Sequence, residues 1–351
     1  TGCSVSGSLS CNTTVTVSSL NISQNTNNVS CNGLNDGTAT VNLSGTGSPW
    51  NVVWQNSSGT TVLTDNGVNS SSTCSNLSAG NYTAIITDAF GCTIQEPITI
   101  TEPQNLSLSS TVNNVNCYGA GDGSINISFL GGTATHTFSW TGTNGFSANT
   151  KDVSGLEPGT YTVTCVDGNG CTATLQENIS EPAELVVSLI SYEDVTCNGF
   201  ADGLININTV GGTPAYSYSW TSTNSFTSNS QNISNLDEGT YTVTITDDNG
   251  CTDNLSQNIT EAGIMNIIPI TSNFSGFEIS CYGFSDGIID LTTSNGTPPY
   301  IYNWTGPNSF TSNQEDISNL EAGDYIVSVT DQNNCTSQST ISLYSPQPLN
   351  I

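Results

Sequence analysis

Eight cysteines and eight aspartates recur in this chain at fixed offsets, and the spacing limits the chemistry open to them. Cys31, Cys117, Cys197 and Cys281 each open a Cys-x-Gly-x-x-Asp-Gly stretch: CNGLNDG, CYGAGDG, CNGFADG and CYGFSDG. Cys92, Cys171, Cys251 and Cys335 each close a second stretch: TDAFGC, VDGNGC, TDDNGC and TDQNNC. A zinc site wants four ligands, typically in Cys-x-x-Cys steps with histidine, and a thioredoxin-type redox centre also wants Cys-x-x-Cys. The chain has no Cys-x-x-Cys and a single histidine, His136. A structural disulfide remains.

Within each unit the two cysteines stand 61, 54, 54 and 54 residues apart. That recurrence predicts the pairs Cys31–Cys92, Cys117–Cys171, Cys197–Cys251 and Cys281–Cys335. The pairing requires an even number of strands between partners, so that both reach one end of the fold. Cys74 aligns with Val153, Ile233 and Ile317, and Cys165 with Ile86, Ile245 and Val329. Each replaces an apolar residue, so both are expected to be buried, unpaired thiols that behave as small hydrophobes. For Cys3 and Cys11 two readings stand: they pair with each other, or Thr1-Gly2-Cys3 is the tail of a preceding unit.

The aspartates keep the same beat. Asp36, Asp122, Asp202 and Asp286 lie five residues after the first cysteine; Asp88, Asp167, Asp247 and Asp331 lie four before the second. Asp-Gly before a strand is ordinary turn chemistry, with glycine at positive φ and aspartate bonding nearby backbone. The sharper reading is calcium, which takes six to eight oxygens. If the predicted disulfides tether both acids of a unit to one end, Glu102 and Glu181 at the linkers add a third carboxylate. No Asp-x-Asp-x-Asp-Gly run supports it, and the fourth unit lacks the linker glutamate. No cofactor is required, and calcium is the one candidate.

These residues need a scaffold that repeats with them. Tryptophans at Trp54, Trp140, Trp220 and Trp304 keep the register, as do LSAGNY, LEPGTY, LDEGTY and LEAGDY. The boundaries carry Glu102-Pro103, Glu181-Pro182, Glu261-Ala262 and Ser345-Pro346; proline there stops a strand. The division expected is a tail of a preceding repeat or N-terminal segment over 1–20, then repeats over 21–102, 103–182, 183–262 and 263–344, with 345–351 leading onward. In the third repeat, GLININTV, YSYSW and TYTVTIT alternate apolar and polar residues, the mark of strands with one wet face. Six or seven such strands in about 80 residues point to a two-sheet sandwich. The fold class expected is all-β, a tandem array of immunoglobulin-like β-sandwich repeats, with the tyrosine of Leu-x-x-Gly-x-Tyr as a corner tyrosine. Short, proline-bearing linkers predict a stiff array.

The combined motif resembles the SprB-type repeat: Cys-x-Gly-x-x-Asp-Gly, then GGTPAYSYSW, then NLDEGTYTVTITDDNGCT, then Glu-Pro. The likeness runs from about residue 29 to 344. The first repeat departs from it, with SGTGSPWNVVW and a longer stretch before LSAG. The resemblance implies a cell-surface adhesin filament of gliding Bacteroidetes, serving gliding motility or attachment.

Composition narrows the field. One Lys (Lys151), no Arg and 29 acidic residues give a net charge of −28. Phosphate recognition depends on Lys and Arg, so nucleic acid is not an expected partner. No apolar run approaches the roughly 20 residues of a membrane span, so no membrane insertion is expected. Twelve cysteines indicate an oxidising, extracellular place, secreted or at the cell surface. A single Lys also rules out a recurring Lys–Asn isopeptide staple. An enzyme needs an acid, base or nucleophile with partners. His136 falls where other repeats carry Tyr216, Tyr300 and Trp50, a structural position, so no enzyme is expected. Phe146, Phe226 and Phe310 are read as core edge rather than a sugar platform. The expected partners are neighbouring repeats of the same array, with surface polysaccharide or substratum as outside ligands. The alternative function is a carbohydrate-binding or spacer module of a secreted enzyme.

Overall fold

The computed structural model describes residues 19–348. The readings for Cys3 and Cys11 lie outside the described residues. Contact density divides the chain into two units, Thr1–Glu181 and Pro182–Ile351, each containing two β-sandwiches.

The first sandwich has seven strands: β1 (Leu20–Asn27), β2 (Gly37–Gly45), β3 (Trp50–Asn56), β4 (Thr61–Val68), β5 (Ser71–Leu77), β6 (Gly80–Thr87) and β7 (Thr93–Ile100). They form a three-stranded sheet β1-β2-β5 and a four-stranded sheet β4-β3-β6-β7, with antiparallel pairing throughout. The period-2 pattern selects the face. Ala39, Val41 and Leu43 of β2 turn inward against Trp50, Val52 and Trp54 of β3 and Tyr82, Ala84 and Ile86 of β6. The intervening residues are half-buried or exposed.

The second sandwich repeats the plan: β8 (Ser107–Asn113), β9 (Gly123–Leu130), β10 (Thr137–Gly142), β11 (Ser147–Ala148), β12 (Val153–Leu156), β13 (Gly159–Val166) and β14 (Thr172–Ile179). Its sheets run β12-β9-β8 and β11-β10-β13-β14. The third has β15 (Val186–Glu193), β16 (Gly203–Val210), β17 (Ser217–Ser222), β18 (Thr227–Ser228), β19 (Ile233–Leu236), β20 (Gly239–Thr246) and β21 (Thr252–Ile259). The fourth has β22 (Asn266–Thr271), β23 (Gly287–Ser294), β24 (Ile301–Thr305), β25 (Thr311–Ser312), β26 (Ile317–Leu320), β27 (Gly323–Thr330) and β28 (Thr336–Leu343). Each sandwich has its own buried core.

The first repeat departs where its sequence does. Its longer stretch after Trp54 makes an eight-residue edge strand, β4, paired with β3 through Trp50↔Val68 and Trp54↔Leu63. The other repeats have two residues of edge strand there.

The four register tryptophans are 0 or 1% exposed. Each satisfies its indole N–H: Trp54 donates to the Ser72 hydroxyl, and Trp140, Trp220 and Trp304 to the carbonyls of Thr150, Ser230 and Gln314, at 2.9–3.0 Å. The Leu-x-x-Gly tyrosines form tyrosine corners. Tyr82, Tyr161, Tyr241 and Tyr325 donate their hydroxyls to the carbonyls four residues upstream, at Ser78, Glu157, Asp237 and Glu321. Phe146, Phe226 and Phe310 lie edge-on to Tyr161, Tyr241 and Tyr325 at 5.3–5.5 Å, the geometry aromatic pairs favour.

His136 occupies the tyrosine position. Its Nε2 lies 3.3 Å from the Gly131 carbonyl, and its ring packs on Phe129 at 4.3 Å. Tyr216 makes the equivalent bond to Gly211, and Tyr300 to Gly296. Trp50, at the same position of the first repeat, has no partner for its buried indole nitrogen.

Candidate functional site: the loops at the ends of the repeats

The first-cysteine loop is built the same way in all four repeats. Val29, Val115, Val195 and Ile279, two residues before the cysteine, are buried. Their amides donate to the carbonyls of Thr101, Ser180, Thr260 and Tyr344, just past the last strand of the same repeat. Cys-x-Gly-x then forms a turn, closed by Leu34, Ala120, Phe200 and Phe284 donating to the carbonyls of Cys31, Cys117, Cys197 and Cys281. The third turn residue, represented by Gly33 at φ 77°, sits in the left-handed region that glycine enters without steric cost.

The Asp-Gly aspartate fixes the loop from below. Asp36 accepts the Ser30 amide at 3.0 Å and the Ser30 hydroxyl. Asp122 accepts the Asn116 amide and side chain, and Asp202 and Asp286 do the same with Thr196 and Ser280. These bonds hold all four carboxyls below the usual carboxylate value. The dominant cause is the neighbouring hydroxyl for Asp36, Asp202 and Asp286, and the Asn116 amide for Asp122. The linker glutamates cap the same turn. Glu102 accepts the Gly33 amide at 2.6 Å, Glu181 that of Gly119 at 2.8 Å, and Glu261 that of Gly199 at 3.0 Å.

The second-cysteine loop lies at the other end of the sandwich, against the entry to β1, β8, β15 or β22. One carboxylate oxygen of Asp167 accepts the amides of Asn169 and Cys171, and the other accepts that of Thr133. Thr133 follows Gly132, whose amide donates to Gln104 at the start of the repeat. Asp247 and Asp331 make the same three bonds with Asn249, Cys251 and Thr213, and with Asn333, Cys335 and Thr297. Asp88 accepts from Phe90 and Cys92. The Thr133 amide chiefly, with the other two, lowers the Asp167 pKa. Asn334 takes φ 66° where Gly91, Gly170 and Gly250 take about 85°; asparagine tolerates this region better than most residues.

The disulfides run between repeats, which corrects the predicted pairing. Cys31 bonds Cys171 of the second repeat, with Cα atoms 5.6 Å apart. Cys197 bonds Cys335 of the fourth, at 5.4 Å. Cys117 and Cys251 are disulfide-bonded as well. None of Cys31–Cys92, Cys117–Cys171, Cys197–Cys251 and Cys281–Cys335 forms. The reason is parity: five strands lie between the first and second cysteine of every repeat. An odd number delivers the two cysteines to opposite ends. Within each unit the first-cysteine loop of the leading sandwich therefore meets the second-cysteine loop of the one that follows it. At the first junction the Asn169 side chain also donates to the Ser30 carbonyl at 2.9 Å. The joints enclose clefts of about 270 Å³, between Leu34 and Leu106 beside Cys31 and Cys171, and about 140 Å³, between Phe200 and Met265 beside Cys197 and Cys335.

The same parity places the two aspartates of each repeat at opposite ends of their sandwich. Among the described residues no group of three or more His, Cys, Asp or Glu is placed to hold a metal. Both oxygens of Asp36, Asp122, Asp167, Asp202, Asp247, Asp286 and Asp331 accept protein N–H or O–H groups. Cys74 and Cys165 are free and buried, at 3% and 0% exposure. Burial pushes both thiols up, and the Asp167 charge adds to the effect at Cys165. Cys281 is free and exposed. The buried Val or Ile two places before each first cysteine anchors these loops; its recurrence in NVSC, VNC, DVTC and EISC is the sequence signal that locates the anchor.

Four stretches, residues 23–49, 109–145, 190–225 and 278–309, match the family model described as the SprB repeat. No curated protein matches the chain. Solved structures resemble it remotely. The three N-terminal domains of the bacteriophage RB49 highly immunogenic outer capsid protein align at 12% identity over 69% of this chain and 97% of theirs, TM-score 0.37. A tetra-tandem repeat from the extending region of a large adhesion protein aligns at 13% identity over 94% and 100%, TM-score 0.31. The eight N-terminal Ig domains of Down syndrome cell adhesion molecule align at 14% over 92% and 54%, TM-score 0.29. Each family match falls on the first-cysteine loop of one sandwich and the strands beside it, so these four stretches of the all-β chain are SprB-type repeats.

Proposed function

We propose that this chain is part of an extracellular, cell-surface adhesin filament, in which the repeats act as structural spacers for attachment or gliding motility and carry no catalysis. The observation that carries the reading is the covalent joining of successive repeats, Cys31 to Cys171 and Cys197 to Cys335. Such bonds persist in oxidising compartments. A net charge of −28 keeps neighbouring filaments soluble and apart. No helix of the described residues is long and apolar enough to cross a membrane. Surface polysaccharide or the substratum is the ligand class proposed for the filament, and the aspartates serve as turn-fixing residues with no calcium. The test is antibody labelling of intact, unpermeabilised source cells, with attachment scored in a strain lacking the gene. Surface label and lost attachment are expected. Label that appears only after permeabilisation overturns the reading, and a hydrolase domain in the same gene favours a spacer in a secreted enzyme.

A further inference from the structure

The loop that opens the fourth repeat is built like the loops that make inter-repeat bonds, yet it makes none. Phe284 donates to the Cys281 carbonyl at 3.1 Å, as Leu34 does to Cys31 and Phe200 to Cys197. Asp286 holds Ser280 as Asp36 holds Ser30 and Asp202 holds Thr196. Gly283 takes φ 77°, against 77° at Gly33 and 75° at Gly199. The cysteine is therefore presented in the bonded geometry before any partner is present. Its surroundings differ in one respect: Cys197 is 4% exposed under the loop of Cys335, whereas Cys281 is exposed and free. The neighbouring aromatic side chains of its loop are open, with Tyr282 63% and Phe284 55% exposed, Phe284 matching Phe200 at 53% in the bonded joint. At the equivalent place in the third repeat, Phe200 faces Ile264 and Met265 across the joint.

We infer that this end of the fourth repeat is a docking face for the second-cysteine loop of another SprB-type repeat, with Cys281 forming the disulfide. The occupant is specified by the two joints already described: an Asp-x-Asn-x-Cys turn, whose aspartate presents the cysteine, on a sandwich with an apolar residue like Leu106 or Met265 just ahead of its first strand. The chemistry is thiol–disulfide exchange with a small disulfide oxidant of the glutathione class. The incoming cysteine thiolate attacks the oxidant, forming a mixed disulfide and releasing one small thiol. The Cys281 thiolate then attacks the protein sulfur of that mixed disulfide, and the second small thiol leaves. Two protein thiols are oxidised, one small disulfide is reduced, and the two protons pass to the leaving thiolates. The inference rests on the repeat architecture and on the oxidising environment proposed above, and it is tested without cells, so failure of the adhesin reading leaves its result intact.

The test appends a copy of residues 268–344 to the full chain after Ile351, which continues the register because Ile351 matches Ile267. The protein is folded with oxidised and reduced glutathione and mapped without reduction by a protease cleaving at acidic residues. The expected result is a peptide pair joining Cys281 to the copy's equivalent of Cys335, with loss of Cys281 alkylation. Replacing that equivalent by serine restores the alkylation. A second version carrying residues 188–262 as the copy guards against one that fails to fold. Cys281 left alkylatable in a folded fusion, or joined to the copy's first cysteine, overturns the inference.

Discussion

Cys197 and Cys335 stand 138 residues apart in the chain and 5.4 Å apart in space, joining the near end of one sandwich to the far end of the next. The first prediction is their detection. Trypsin has one lysine to cut at, Lys151, so a protease for acidic residues is needed. Non-reducing maps should contain Cys31–Cys171 and Cys197–Cys335 and lack Cys31–Cys92. In the chain-entropy model, closing a loop of 140 residues is worth about 5 kcal/mol. Cys31→Ser should accordingly lower the unfolding midpoint of the first two repeats, read in urea by tryptophan fluorescence. An unchanged midpoint would mean the bond adds nothing.

The corner tyrosines give a second prediction. Tyr241 donates to the Asp237 carbonyl at 2.9 Å and is 1% exposed. Tyr241→Phe keeps the ring against Phe226 and strands that carbonyl, at a cost of about 1–2 kcal/mol. Chemical denaturation measures it; a loss below the error of the fit would show the hydroxyl is dispensable.

Thiol reactivity is the third. Burial raises the Cys74 and Cys165 thiols, and the thiolate is the reactive form. Both should resist iodoacetamide at neutral pH until denaturant is added, while Cys281 in the chain alone should label within the first minutes. Equal rates at the three sites would refute the burial assignment.

Acid should loosen the loops. Asp36, Asp122, Asp167, Asp202 and Asp286 have pKa values below the ordinary 3.8 because amides and hydroxyls hold their charged forms. A carboxylate with a depressed folded pKa stabilises the fold above its unfolded value, and that contribution is lost as pH falls through the folded value. Melting temperature should therefore hold steady down to about pH 5 and drop as pH falls from about 4 to 2. Asp202→Asn should shallow the drop. A pH-independent melt would remove these bonds from the account.

Calcium provides the last. The aspartates are engaged by protein donors and separated within each repeat. Adding calcium at millimolar levels, or a chelator, should leave the melting temperature unchanged and give no binding heat by calorimetry. A shift of several degrees would restore a metal role for these residues.

The alternation of Ile205 and Ile207, or of Tyr241, Val243 and Ile245, made the sheets and their buried faces legible in sequence, because strand periodicity is a local property. The tyrosine corner was legible for the same reason, since donor and acceptor lie four residues apart. The pairing of cysteines was not. A repeating sequence looks the same after a shift of one repeat, so spacing alone cannot tell a bond within a repeat from a bond to the next. Only the strand count decides. It was obscured by edge strands as short as Thr227–Ser228 and by the four-residue β19, which carry too few residues to show a period. The premise that both aspartates of a repeat reach one end went with the pairing, because it rested on the same strand count.

The inter-repeat bonds also decide what happens when the chain is pulled. A disulfide from Cys31 to Cys171 closes 140 residues into a covalent loop, which fully extended would pay out about 480 Å at roughly 3.4 Å per residue. With the bond intact, tension passes through sulfur and that length stays locked even if the second sandwich unravels. The Cys197–Cys335 bond withholds a nearly equal length. Oxidised, the chain should behave in a force-extension measurement as a nearly inextensible tether. Reduced, it should lengthen in long sawtooth steps as each sandwich yields. The redox state of the disulfides thus selects between a cable and a shock absorber made from the same sequence.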